Sequence, residues 1–218
     1  ADCSRSGRPL TVAQPQHDKQ RRASATLSYY DRHAERFFDQ TVDIDMSAAR
    51  HRFLAYLPAD AAILDAGCGS GRDAAAFVRA GYQVSAFDGS PRLAAVAAQR
   101  LGLNVAVKRF EDLTLEPRLD GIWACASLLH LPMRRLSDAF VRLGNGLRPH
   151  GVLYASFKHG SGERNAGGRH FTDLDENGLA ELLKEMAILR ALEVWVAPDQ
   201  RPERNSEYWL NALLRRSR

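Results

Sequence analysis

The stretch Ile63-Leu-Asp-Ala-Gly-Cys-Gly-Ser-Gly-Arg-Asp73 constrains this chain more than any other segment. A short apolar run from Ala61 to Leu64 leads into Asp65. Gly67, Gly69 and Gly71 follow at every second position, and behind them lies an Ala-rich segment. A short apolar run bounded by glycines reads as a buried strand, and the Ala-rich segment as a helix. Glycines let the backbone turn sharply between the two and let a ligand come close to the main chain.

The same alternation continues downstream. Strands are predicted over Ala62–Asp65, Gln83–Asp88, Val105–Arg109, Gly121–Cys125 and Val152–Phe157, with helices over Arg72–Ala80, Pro91–Leu101 and Met133–Leu147 between them. Gly81, Gly102 and the turn Arg148-Pro-His-Gly151 mark helix ends. Gly160–Gly168 reads as a flexible loop and Asp173–Met186 as a helix. The closing strands Leu189–Val196 and Tyr208–Leu214 flank a Pro-rich turn at 198–205 and form a hairpin. Ahead of the glycine turn, a helix over Ser28–Phe38 is expected, with Ser28 and Asp31 as a capping box and a stripe of Tyr30, Ala34, Phe37 and Phe38. A second helix, Ser47–Leu57, is stopped by Pro58.

Strand-helix alternation at this spacing predicts an α/β fold. The expected architecture is a Rossmann-like, seven-stranded, mostly parallel sheet with one antiparallel strand, helices on both faces and a helical N-terminal cap. Residues 1–25, polar and without periodicity, are expected to be a disordered basic tail. Residues 26–218 then form the domain, with the cap over 26–58, the cofactor-binding core over 59–157, and a substrate-side loop, helix and hairpin over 158–218.

The formal charge of +4 sits in the tails. Residues 1–25 contribute +3 and the last four residues another +3, which leaves 26–214 at −2. A nucleic-acid enzyme usually carries its basic face on the fold itself, so the charge favours a small-molecule partner. Cys3, Cys68 and Cys125 are too few and too scattered for a disulfide framework or a metal site. No run of about 18 apolar residues is present, and the first 25 residues lack a signal peptide's apolar stretch. The expectation is a cytoplasmic protein with no metal and no membrane partner, a monomer or weak dimer.

The acidic residues around the glycines narrow the ligand. Asp65 ends the first strand directly before the turn. A carboxylate there would repel a pyrophosphate and suit a cation. Asp88 ends the second strand 21 residues after Gly67, placed to accept hydrogen bonds from vicinal ribose hydroxyls. Gly89 and Ser90 follow, with Ser90 before Pro91 as a helix N-cap. Phe110 could offer an adenine an apolar face, and Glu111 or Asp112 could accept from its amine.

These residues resemble class I S-adenosylmethionine-dependent methyltransferases over about 27–214. The resemblance rests on Asp65-Ala-Gly-Cys-Gly-Ser-Gly71, Asp88, Ser127-Leu-Leu-His-Leu-Pro132 and Leu147-Arg-Pro-His-Gly-Val152, where His150 replaces a family glycine. Tyr29-Tyr-Asp31 is similar to the helix that caps the cofactor in small bacterial members. Gly168-Arg-His-Phe171 and Trp209-Leu-Asn211 are similar to segments of uncharacterised bacterial relatives, and the nearest subgroup resembles the tellurite-resistance and small-molecule type. Arg109 departs from the acidic residue the family often has there. The resemblance implies S-adenosylmethionine contacts from Tyr30, Asp65, Gly67, Cys68, Gly69, Asp88, Gly89, Ser90, Phe110, Glu111 and Ala126, with Cys68 a small apolar side chain in the turn.

His130 is the candidate catalytic base, because an imidazole suits proton removal near neutrality. The bland reading is a packed histidine capping a loop. Lys158, Arg169 and His170 would line the acceptor pocket, and three such groups suggest an anionic acceptor. The expected reaction is in-line methyl transfer to a small molecule. The alternatives are a tRNA methyltransferase using the basic tails, a non-catalytic cofactor-binding module and a dinucleotide-dependent oxidoreductase.

Overall fold

The computed structural model describes residues 25–204 and 206–217. The expectation of disorder over 1–25 lies outside these apart from Ala25, which begins a helix. The N-terminal helices are α1 (25–32), α2 (Ala34–Thr41) and α3 (Ser47–Leu54). Then come β1 (Ala62–Ala66), α4 (Arg72–Arg79), β2 (Gln83–Asp88), α5 (Pro91–Leu101), β3 (Val105–Val107), β4 (Leu119–Ala124) and α6 (Met133–Gly146). The chain continues through β5 (Leu147–Lys158), β6 (Gly162–Ala166), β7 (Arg169–Asp173), α7 (Glu176–Lys184), β8 (Leu189–Pro198) and β9 (Tyr208–Arg216).

Seven strands form one sheet in the order β3-β2-β1-β4-β5-β9-β8. β9 is antiparallel to both its neighbours, and the other pairings are parallel. The two-residue period of β1 sends neighbouring side chains to opposite faces. Leu64 packs in the cluster that holds Leu136, Phe140 and Leu143 of α6 with Leu179 and Leu182 of α7. Ile63 packs in the other, with Phe53 of α3 and Phe77 of α4. At Gly121 of β4 a Cβ would stand 2.6 Å from Phe53 Cζ, so a glycine is what lets α3 lie close against the sheet.

Several expectations are corrected. Gly160–Gly168 is not a loop: β6 and β7 form an antiparallel hairpin closed by Gly167 and Gly168, both at positive φ, as a two-residue hairpin turn requires. β6 is exposed throughout, so it lacks the alternation of buried residues that reveals a half-buried strand. The following helix starts at Glu176, because Asp175 accepts from the Gly178 amide as its N-cap. Ser28 lies inside α1 rather than capping it. Asp31 instead accepts from Ser90 Oγ at 2.5 Å and the Arg92 amide at 3.2 Å, which ties α1 to the start of α5. The turn at 148–151 is absorbed into β5, whose pairing with β4 shifts register there, with His150 at φ +70.

Candidate active site

The glycine turn packs against two other strand ends. The amides of Gly67 and Cys68 both donate to the Phe87 carbonyl at 2.9 Å, joining the end of β1 to β2. Ser127 Oγ donates to the Ala66 carbonyl at 2.7 Å. Gly67 stands at φ +76, and a Cβ there would meet Ser127 Cβ at 2.6 Å. Gly69, at φ +56, lies over Phe37 of α2. The turn opens into a cavity of about 730 Å³ that runs from Gly67, Cys68 and Gly69 to Trp209.

Asp65 departs from its expected place. Its carboxylate is 2% exposed, accepts from the Ala74 amide at 3.0 Å and is not among the cavity-lining residues. Burial and the charge of Asp73 raise its pKa well above the usual carboxylate value. It anchors the first turn of α4 instead of facing a ligand. Asp73 beside it is also buried, and burial alone would raise its pKa. The guanidinium of Arg72 and hydrogen bonds from Arg72 and Arg50 outweigh that and hold it low. Trp123 Nε1 completes the cluster at 3.0 Å.

Asp88 lines the cavity. Its two oxygens accept from the Gly69 amide at 2.9 Å and the Ser90 amide at 2.8 Å, so one carboxylate sets the glycine turn and the next loop together. Burial raises its pKa, and these amides pull against the rise. Gly89 also lines the cavity, with Leu27 of α1 packed against it; Ser90 is fully buried and caps α5 through Leu93. Phe110 and Glu111 form the adjoining wall. Cys68 is half-buried at the cavity edge, and desolvation raises its thiol pKa well above the free value, so it holds no thiolate.

Tyr30 and His130 meet across the cavity wall, with Tyr30 Oη 2.7 Å from His130 Nε2. His130 Nδ1 lies 2.7 Å from the His170 carbonyl oxygen. Burial lowers the His130 pKa to about 4, so it does not titrate near neutrality as expected from the free imidazole. His170 contributes this carbonyl; its ring sits 3.2 Å from Thr172 Oγ1 and does not line the main cavity. Arg169 does line it. Its guanidinium lies 4.6 Å from the Tyr29 ring and 5.1 Å from Phe171. Its buried Nε has no hydrogen-bond partner.

Lys158 is not the open cation its position suggested. Its ammonium lies 3.0 Å from Asp199 Oδ2, also contacts Glu207, and sits 4.1 Å over Trp209. Asp199 further accepts from Arg201 and from Trp209 Nε1. Burial opposes ionisation there, but these donors hold its pKa well below the usual range. Asp199, Glu207, Arg201 and Phe37 are site residues that sequence reasoning missed. Ala126, at φ +51, lines the cavity and its amide donates to Ser156 Oγ at 2.9 Å. Among the described residues, no group of three or more His, Cys, Asp or Glu side chains is placed to hold a metal ion, and no helix is long and apolar enough to cross a membrane.

Residues 63–151 match a family described as a methyltransferase domain. Among solved structures, the chain is similar to the Burkholderia thailandensis 1,6-didemethyltoxoflavin-N1-methyltransferase, solved with 1,6-didemethyltoxoflavin and S-adenosylhomocysteine bound. The two are 28% identical over 98% of this chain and 94% of that one, with a TM-score of 0.76. The Bradyrhizobium japonicum N-methyltransferase NodS, solved with S-adenosylhomocysteine, shares the fold at 20% identity, 86% and 98% coverage and a TM-score of 0.64. A Mesorhizobium loti S-adenosylmethionine-dependent methyltransferase shares it at 17% identity, 79% and 100% coverage and a TM-score of 0.63. No curated protein matches the sequence. With the glycine turn at the carboxyl edge of this sheet and the family match across it, the chain carries a methyltransferase domain over residues 63–151, of the S-adenosylmethionine-dependent kind that its structural neighbours share.

Proposed function

We propose that the protein methylates a small, flat, oxygen-bearing heterocycle at a ring N–H or O–H. The observation that carries this reading is the single cavity that continues from the glycine turn into a chamber walled by Tyr30, Phe171, Trp195 and Trp209. Such walls suit a planar ring. Arg169 lines this chamber with no carboxylate partner among the described residues, and its unpartnered Nε suits a carbonyl or anionic oxygen. Lys158 is already neutralised, so the chamber favours one acceptor oxygen near Arg169 over a multiply charged anion. The Burkholderia relative is named as an N1-methyltransferase of 1,6-didemethyltoxoflavin, which supports nitrogen methylation of a small molecule here.

The donor set fits the cofactor. Asp88 and Glu111 line the cavity near the turn, and Arg72 beside it is committed to Asp73. That surround disfavours a pyrophosphate and suits a ribose and a sulfonium. In this reading Asp88 holds the ribose hydroxyls, Phe110 and Glu111 flank the adenine, and Gly67, Cys68, Gly69, Gly89, Ala126 and Tyr30 shape the remaining wall. Asp65 and Ser90 support the loops from behind. When bound, the cofactor supplies an electrophilic methyl group on a positively charged sulfur. The chain's own contribution is to hold the acceptor in line at about 3–3.5 Å, exclude water and receive the proton.

A screen with labelled methyl donor tests the reading, using pyrimidine-fused heterocycles, small carboxylates, chalcogen anions and tRNA. Label in a heterocycle is expected. Label only in tRNA, with steep salt dependence, would replace the small-molecule reading. Tight S-adenosylhomocysteine binding with no label in any acceptor would make the chain a binding module.

A further inference from the structure

We propose that Tyr30, rather than His130, is the group that meets the acceptor's departing proton, and that the proton passes through its hydroxyl to His130; this rests on the N–H or O–H acceptor above. A neutral imidazole has one nitrogen that donates and one that accepts. His130 Nδ1 faces the His170 carbonyl at 2.7 Å, and a carbonyl only accepts, so Nδ1 carries the hydrogen. Nε2 is then the acceptor, and the Tyr30 hydroxyl at 2.7 Å donates to it. Both ring nitrogens are engaged. The ring is also held between aromatic neighbours, 5.4 Å from the Tyr30 centroid and 5.1 Å from Phe171. A proton therefore reaches Nε2 through the oxygen of Tyr30.

Tyr30 has the capacity for this. With its hydrogen given to His130, its oxygen keeps two lone pairs. Arg169 stands nearby, its guanidinium carbon 5.9 Å from the Tyr30 ring centroid, and places positive charge beside it. A lone pair is left for an acceptor N–H or O–H in the cavity that Tyr30 lines. Both partners are fixed from behind: Thr26 of α1 accepts from the His170 amide at 2.9 Å, and Asp31 binds Ser90 at 2.5 Å.

The step balances as follows. The acceptor X–H bond breaks and its proton bonds to Tyr30 Oη while the original Tyr30 proton bonds to His130 Nε2. The X–H electron pair stays on X and forms the X–CH₃ bond, and the pair of the C–S bond returns to sulfur. The products are a neutral tyrosine, a His130 imidazolium held by the His170 carbonyl, the methylated acceptor and a thioether. The cavity's net charge is unchanged, because one positive charge disappears at sulfur as one appears on the ring. Burial raises the Tyr30 pKa to about 12 and lowers that of His130 to about 4. A free phenolate beside an imidazolium would be costly, so the two proton transfers go together.

The test combines spectroscopy and single-turnover kinetics on the full chain. With S-adenosylhomocysteine bound, ¹⁵N imidazole spectra should show His130 as the Nδ1–H tautomer, and Tyr30→Phe should raise its pKa by removing a donor to the neutral form. Single-turnover methyl transfer in mixed H₂O and D₂O should give a curved, two-proton inventory. Tyr30→Phe should keep S-adenosylhomocysteine affinity within threefold, slow transfer at least thirtyfold and make the inventory linear. An Nε2–H tautomer, a linear wild-type inventory or a Tyr30→Phe rate within threefold would overturn the relay. The tautomer needs no acceptor, so the relay can fail while the heterocycle reading stands, and the label screen can fail while the tautomer holds.

Discussion

Lys158 Nζ and Asp199 Oδ2 lie 3.0 Å apart at the far end of the cavity, although 41 residues separate them along the chain. Both residues are 8% exposed, and Asp199 also binds Arg201 and Trp209. Removing one partner of a buried pair leaves a charge without compensation, at a cost of about 3–5 kcal/mol. Asp199→Ala should therefore lower stability by about 3 kcal/mol in urea unfolding. Lys158→Met should cost at least about 1 kcal/mol less, because Asp199 keeps Arg201. The reverse order would mean that Lys158, not Asp199, organises the cluster.

Asp88 holds the Gly69 and Ser90 amides with its two oxygens. An amide side chain offers one acceptor oxygen, so Asp88→Asn cannot keep both bonds and a ribose hydroxyl. S-adenosylhomocysteine affinity by calorimetry should fall at least about tenfold, or about 1.4 kcal/mol. Unchanged affinity would remove Asp88 from the adenosyl site.

Gly67 and Gly81 both stand at positive φ, but only Gly67 is crowded, with Ser127 Cβ 2.6 Å from a Cβ placed there. Gly81→Ala meets nothing within 4 Å and should cost about 1 kcal/mol from backbone conformation alone. Gly67→Ala adds a clash against β-strand ends and should cost about 2–4 kcal/mol, with loss of S-adenosylhomocysteine binding. Thermal melts of the pair, with and without S-adenosylhomocysteine, separate the two effects.

The His130 pKa falls from 6.5 to about 4 on folding. Between those values the unfolded chain binds a proton that the folded chain does not, so this residue's effect on stability worsens as pH falls through that window. The loss reaches at most about 3 kcal/mol near pH 4. His130→Gln should gain relative to wild type when urea unfolding is moved from pH 7 to pH 4.5. A constant difference would mean that His130 is protonated in the folded state.

Local signals were the legible ones. β2 and α5 begin and end where predicted, because Ser90, Pro91 and Gly102 carry the boundary within a few residues of it. The sheet follows from strand-helix alternation in the same way. The β6–β7 hairpin was hidden, since its exposed strand and its glycines read alike as loop. Asp65 stood at the expected strand end, but whether its side chain meets the cavity or α4 depends on how the turn folds back. The candidate site was legible as a set of strand ends and not as a set of partners. Tyr30 and His130 are 100 residues apart, and nothing local to either residue shows that their functional groups touch.

Ala126 is an alanine at φ +51, a conformation that costs a non-glycine residue about 1–3 kcal/mol. Its amide is held by Ser156 Oγ at 2.9 Å. The cavity wall is therefore tensioned: a segment that would relax elsewhere is kept bent by one serine on the adjoining strand. A substitution that relieved this tension would strengthen the fold and shift the wall of the reaction chamber at the same time.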